Sequence, residues 1–248
     1  MTREIVVDAS DRLADIALLR LERLAAAAID RRGSFALALP GGSVAEALLP
    51  RLASRRLDLA RTDFFWTDER AVPPDDPESN CGRARRLFLA PAGVAPERVH
   101  AFAPESDAPQ ALEAAAAAGE AELVRTLGAT TRLDLVILGV GADGHVASLF
   151  PEHALLREPR RWVAALDDAP KPPRGRVTLT LPAIAAARQV LVMAFGAEKA
   201  AAIEEACDDP VSRLPLALVL RRAEATLLLL DRAAASRVTG GPPGAPAP

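Results

Sequence analysis

The stretch LDLVILGVGADGHVASLFP, from Leu133 to Pro151, decides how the chain is read. An apolar run reaches the glycines Gly139, Gly141 and Gly144, with Asp143 and His145 set among them and a proline closing the segment. An apolar run that stops at glycine predicts a buried strand opening into a loop of close backbone approach. In open α/β sheets, chemistry gathers at the carboxyl ends of strands. Asp143 and His145 therefore stand where a functional site is expected. Residues Gly139–Gly144 also match G-x-G-x-x-G, but a dinucleotide site needs a full helix after its last glycine. Pro151 arrives seven residues after Gly144, which leaves room for about two turns and argues against a nicotinamide or flavin.

Working outward, the run Ser34–Leu39 (SFALAL) reads as a strand that enters Pro40-Gly41-Gly42-Ser43 and then a helical pattern, Val44, Ala47, Leu48 and Leu52. Strand, glycine turn and helix point free backbone N–H groups at an anion. Ser43 is expected to cap that helix or to bind the same anion. No Gly-Lys-Ser/Thr follows, so this is not a Walker A loop. Gly41-Gly42-Ser43-Val44-Ala45 also approaches the nucleophile elbow G-x-S-x-G, with Ala45 in place of the last glycine. A serine esterase with Ser43 as nucleophile and His145 as base is therefore a rival reading.

A third strand, Asp63–Thr67 (DFFWT), empties into Asp68-Glu69-Arg70 and the irregular loop AVPPDDPESN. Long irregular loops in compact domains are often functional. Trp162–Leu166 and Val177–Leu181 read as strands around the loop DDAPKPPRGR, and Gln189–Phe195 as a strand ended by Gly196. Arg176 and Lys199 each lie at an element end from which a cleft is within reach. Elsewhere the patterns predict a strand at Glu4–Val7, a helix after it capped by Ser10 or Asp11, and a helical Asn80–Leu89. They also predict a strand at Arg98–Phe102, a helix at Pro109–Leu127, a short helix at Ala183–Arg188 and a helix at Glu198–Ala206. Leu216–Leu220 and Thr226–Leu230 are the last apolar runs. Strands alternating with helices argue for an α/β fold with a mainly parallel sheet covered on both faces. The expected organisation is one domain over residues 1–238 and a flexible Pro/Gly tail over 239–248.

Composition narrows the class. The 248 residues are 50% hydrophobic, with a formal charge of −3 and no tyrosine. Near-neutral charge gives no support for nucleic-acid binding. Two cysteines, Cys81 and Cys207, argue against a disulfide framework and fit a reducing cytoplasm. The N-terminus lacks the apolar core of a signal peptide, and no run suits a bilayer span. His100 and His153 have no setting like that of His145, and no His/Asp/Glu group has metal-ligand spacing. A cytoplasmic monomer without a metal or cofactor is expected.

The segments WTDERAVPPDDPESN, LDLVILGVGADGHVASLFPEH, PKPPRGRVTLTLPAIAAAR and GAEKAAAI, in this order, resemble the 6-phosphogluconolactonase family of short α/β enzymes. The resemblance runs from about Ile5 to Ala234. It implies a modified Rossmann-like fold shared with glucosamine-6-phosphate deaminases. It also implies hydrolysis of 6-phospho-D-glucono-1,5-lactone to 6-phosphogluconate in the oxidative pentose phosphate pathway, without a cofactor. By this likeness His145 is the general base, and Asp143 and Asp68 shape the site around it. Gly41, Gly42 and Ser43 hold the phosphate at a helix N-terminus, and Arg70, Arg176 and Lys199 are the cationic contacts. The chain departs from the pattern at Val44-Ala45, at Val146 and at Cys81-Gly82. The sister deaminases carry a carboxylate just before the closing proline, where this chain has Phe150. A non-catalytic sugar-phosphate sensor on the same fold needs a DNA-binding module, for which the sequence leaves no room.

Overall fold

A computed structural model describes residues 2–128 and 131–238 of the chain; the expected tail over 239–248 lies outside them. In chain order the strands are β1 (Thr2–Asp8), β2 (Phe35–Leu39), β3 (Thr62–Trp66), β4 (Asp68–Arg70), β5 (Val99–His100), β6 (Leu135–Gly139), β7 (Val163–Leu166), β8 (Arg176–Leu179), β9 (Gln189–Ala194) and β10 (Ala225–Asp231). The helices are α1 (Ser10–Arg32), α2 (Gly42–Leu52), α3 (Asn80–Ala84), α4 (Pro109–Leu127), α5 (Leu181–Ala186), α6 (Ala200–Asp208) and α7 (Pro215–Arg222).

Seven strands form one sheet in the order β1-β10-β9-β6-β2-β3-β5, every pair parallel. Parallel strands need crossovers, and the helices supply them, so the sheet is covered and its central strands read as unbroken apolar runs. β2 and β3 are buried at every position, and β6 at all but its last. Phe35, Phe64, Phe65, Trp66, Leu37 and Leu39 are among the largest fully buried side chains. Burying one such side chain contributes about 1.5–3 kcal/mol. From β2 the order runs outward through β3 to β5; from β6 it runs outward the other way through β9 and β10. The reversal lies between β2 and β6, and the crevice outside the carboxyl ends of strands at such a point is where α/β sheets bind ligands.

A second, three-stranded sheet, β4-β8-β7, is antiparallel. It hangs from the main sheet at Thr67, whose N–H donates to Leu39 O (3.0 Å) and whose carbonyl accepts from Leu179 N (2.8 Å). The sequence predicted no strand at Asp68–Arg70, because three polar residues show no alternation. The run Leu216–Leu220 is part of helix α7 and is not a strand. The predicted helix over Asn80–Leu89 divides into α3 and a wider π turn, Arg85–Leu89.

Two predicted caps are corrected. Neither Ser10 nor Asp11 caps α1; Ala9 holds the N-cap position without a side-chain bond. The Asp11 carboxylate instead accepts from Arg51 of α2 (2.5 Å), tying the two helices together. Ser43 lies inside the first turn of α2, behind the N-cap Gly41, so it cannot cap that helix. Among the described residues no helix is long and apolar enough to cross a membrane, and both cysteines are free.

Candidate functional site

Three strand ends and the small sheet meet at the reversal point. After β2, the chain passes Gly41 into α2, with Gly42 at φ +60°. After β6, no helix forms: turns and one short bridge, Val146 to Leu149, carry the chain to Pro151, as the early proline implied. These segments and β4, β8 and the turn after β9 enclose a cleft of about 670 Å³, mouth included. Its lining contains Gly41, Gly42, Ser43, Asp68, Arg70, His145, Arg176 and Lys199, eight of the nine residues expected at a site. Asp143, the ninth, reaches the cleft through His145. A larger groove, around Pro151, Leu156, Leu214 and Leu218, holds none of them.

The His145–Asp143 pair is built by its glycines. Gly141 N–H donates to His145 O (2.9 Å), and Gly144 N–H donates to Gly141 O (3.0 Å) with Gly144 at φ +80°. This tight turn folds the Asp143 side chain back onto the ring, and His145 Nδ1–H donates to Asp143 Oδ1 at 2.5 Å. A Cβ on Gly141 would stand 2.0 Å from Nδ1 and 2.4 Å from that oxygen, so only glycine leaves space for the pair. A carboxylate can only accept, which puts the ring proton on Nδ1 and leaves Nε2 as a lone pair. Among the described residues Nε2 has no hydrogen-bond partner.

Phe150 packs against the ring (centroids 4.9 Å apart) and is itself buried. Burial pushes the His145 imidazole below its ordinary value; Asp143 offsets part of that, and Lys171 adds to it. For Asp143 burial works upward, but the imidazole of His145, with a smaller contribution from Lys171, outweighs it and holds the carboxyl below its ordinary value.

Asp68 and Arg176 face each other across β4 and β8. In register Arg70 lies opposite Arg176, and Asp68 opposite Thr178. Asp68 is 5% exposed and accepts from Ser148 Oγ (2.6 Å) and Asn80 Nδ2 (3.3 Å). Both Arg70 Nε (3.9 Å) and Arg176 Nη1 (3.8 Å) lie near Asp68 Oδ2, the oxygen that accepts from Ser148. Asp68 and Glu69 thus belong to a buried network, where a charge cluster on a loop would ordinarily be solvated.

Arg176 is 5% exposed, and its donors are largely committed. Nε donates to Pro173 O (3.0 Å) and Nη2 to Lys171 O (3.0 Å), while the guanidinium lies 5.7 Å from the Phe150 ring centre. Burial draws its pKa down, and Asp68 counters. Arg70 is held by Glu78, through O (2.9 Å) and Oε2 (2.8 Å), and its buried Nε has no hydrogen-bond partner. Among the described residues the one carboxylate within 4.0 Å of Lys199 Nζ is Glu198 (3.7 Å). Ser43 Oγ makes no hydrogen bond among the described residues, so the Ser–His contact of a serine esterase is not formed.

Lys171, Ser148 and Asn80 escaped the sequence reading, and Glu69, part of the charge cluster read at the end of β3, joins them. Lys171 lines the cleft from the β7–β8 loop. Ser148 is fully buried and supplies the short bond to Asp68. Asn80 donates to Asp68 O (3.0 Å), and its amide fills the space that a Cβ on Gly41 would occupy, bracing the β2 loop against β4. Glu69 is buried and takes four donors: Arg70 N (2.7 Å), Asn80 N (2.8 Å), Cys81 N (2.7 Å) and Ser79 Oγ (3.2 Å). It thereby anchors both ends of the loop over residues 71–79. Their only signal in the sequence was that they lie inside segments already singled out.

Comparison with known proteins identifies the family. Residues 8–228 match the family model of glucosamine-6-phosphate isomerases/6-phosphogluconolactonase. The chain is 41% identical to the 6-phosphogluconolactonase of Streptomyces coelicolor over 249 aligned positions, covering 96% of this chain and 95% of that one. It is 39% identical to the 6-phosphogluconolactonase of Rattus norvegicus, covering 90% of this chain and 88% of that one. The solved 6-phosphogluconolactonase of Trypanosoma cruzi superposes with a TM-score of 0.86 at 27% identity, covering 96% and 97% of the two chains. With the family match spanning most of the chain and close relatives aligned end to end, this protein belongs to the glucosamine-6-phosphate isomerase/6-phosphogluconolactonase family.

Proposed function

We propose that the chain hydrolyses 6-phospho-D-glucono-1,5-lactone to 6-phospho-D-gluconate, with His145 as the general base on water. The observation that carries this is the fixed tautomer: Nδ1–H is held by Asp143 at 2.5 Å, leaving Nε2 free in a cleft lined by cations and glycine N–H groups. A neutral imidazole suits removal of a proton from water at neutral pH. Water attacks the lactone carbonyl as its proton passes to Nε2. The tetrahedral oxyanion collapses, the C1–O5 bond breaks, and the proton returns from Nε2 to the departing ring oxygen. The products are the C5 hydroxyl and a carboxylic acid that ionises.

The N-terminus of α2, with Gly41, Gly42 and Ser43, is the phosphate cradle, assisted by Lys199. The phosphate lies away from the reacting carbon, so its binding energy serves to orient the lactone. The Arg70 guanidinium, which lines the cleft, is the oxyanion donor, a role often contributing roughly 3–4 kcal/mol. The deaminase alternative lacks its proton carrier, since buried Phe150 occupies the position before Pro151.

The test is pH-stat hydrolysis of freshly made 6-phosphogluconolactone, with the unphosphorylated lactone alongside. The enzyme hydrolyses the phosphorylated lactone at far lower concentration, and H145A loses about two to four decades of kcat. Near-normal turnover by H145A would remove the base assignment. Equal use of both lactones would remove the phosphate cradle.

A further inference from the structure

Lys171 sits in a loop between two prolines' worth of constraint and points to a role of its own. Its backbone is fixed by the buried Arg176, which donates to Lys171 O and to Pro173 O, both at 3.0 Å, and Ala169 N–H closes the loop on Arg174 O at 3.2 Å. Its side chain is 55% exposed, and Nζ lies 3.8 Å from Asp143 Oδ2. That oxygen is the one His145 leaves open, since Nδ1 takes Oδ1. One carboxylate thus lies between an ammonium and an imidazole.

We propose that Lys171 is a positioning residue for the base: it completes a Lys171–Asp143–His145 line that aims the carboxylate and keeps the imidazole neutral in the free enzyme. This rests on His145 being the base. The charged groups around His145 come from every neighbouring segment. Asp143 lies on its own loop, Asp68 and Arg70 on β4, Arg176 on β8, Lys199 beyond β9 and Lys171 on the β7–β8 loop. Asp68 is already paired with Arg70 and Arg176. Among the described residues Lys171 is the one Lys or Arg within 4.0 Å of Asp143. Burial already disfavours the imidazolium, but Asp143 pulls the ring toward that form, which cannot accept a proton from water. The lysine opposes that, while its tether to Arg176 gives the buried arginine a task other than direct phosphate contact.

The test is K171M against K171R, with two readouts. The first is NMR titration of the His145 ring, assigned by its loss in H145Q; it needs no substrate. The second is the pH profile of kcat/KM for the lactone, read on the acid side where spontaneous hydrolysis is slow. In K171M the His145 titration and the acid limb both move up by roughly half a pH unit, a one-charge effect discounted for solvent exposure. Below the limb kcat/KM then falls about threefold, because activity follows the neutral fraction. K171R restores both. An unmoved titration in K171M overturns the proposal, as does a raised KM with an unmoved limb, which would make Lys171 a phosphate ligand. If wild-type enzyme fails to hydrolyse the lactone, the proposed reaction fails while the titration still judges the Lys171 line.

Discussion

Replacing Gly141 by alanine perturbs the proposed base without changing His145 or Asp143 themselves. The added Cβ would stand 2.0 Å from His145 Nδ1, 2.2 Å from Cε1 and 2.4 Å from Asp143 Oδ1. All three are far inside contact distance, so the ring and the carboxylate must separate. Gly141 is not among the glycines with positive φ, so alanine adds no backbone strain and the fold should survive. What is lost is one charge-assisted bond, about 1.5–3 kcal/mol. If the imidazolium of the transition state depends on that bond, the barrier rises by the same amount, and kcat falls about 10- to 150-fold. Affinity for the product 6-phosphogluconate should change little, because the phosphate cradle lies on the β2 side of the cleft. The assay is single-substrate hydrolysis in a pH-stat, with product binding by calorimetry and a thermal melt as control. A G141A enzyme with kcat within about threefold of wild type and an unchanged melt would refute the view that the Asp143–His145 contact is held by the bare glycine.

Two other outcomes are expected. With its imidazole pushed by burial below the ordinary value, His145 stays neutral to lower pH, so kcat/KM holds from neutrality down past about 6.5 before falling; an acid limb above neutrality in the blank-corrected profile contradicts this. E69Q places an amide NH₂ where the carboxylate now accepts from Cys81 N and Ser79 Oγ. It should cost about 2 kcal/mol and lower the melting temperature by about 4–8 °C, whereas a melt within about 1 °C of wild type means the loop over residues 71–79 is held by something else.

Much of the site was legible because it depends on local grammar. The strand ending in Gly139, the glycines after it and the early Pro151 together specify a strand-end turn that carries Asp143 and His145, with no helix after it. The same logic found Gly41-Gly42 after β2. What stayed hidden depends on pairing across distance. Asp68–Arg70 carries no strand pattern, and becomes one because Val177 and its neighbours lie opposite in the fold. Arg176 was expected at the cleft from its place at an element end, but nothing nearby in sequence announces that Asp68, Ser148 and two loop carbonyls will enclose it. Lys171 looked like loop filler among prolines, and only the turn of Asp143 toward it reveals a partner. The two cap assignments failed for a related reason. Asp11 is a good cap by residue type, but an arginine from α2 claimed its carboxylate first.

The edge of the main sheet has a bearing on how the protein is made. β1 pairs with β10 alone, Thr2 opposite Ala225, so 223 positions separate partners that lie side by side. At about 5–20 residues per second, the ribosome delivers β1 roughly 10–45 s before its partner exists. For that interval β1 has no strand to pair with. Joining so distant a pair carries a closure entropy of about 5 kcal/mol, which is met only once β9 has templated β10. Among the described strands, β1 can therefore pair only after β10, which is made well over two hundred residues later.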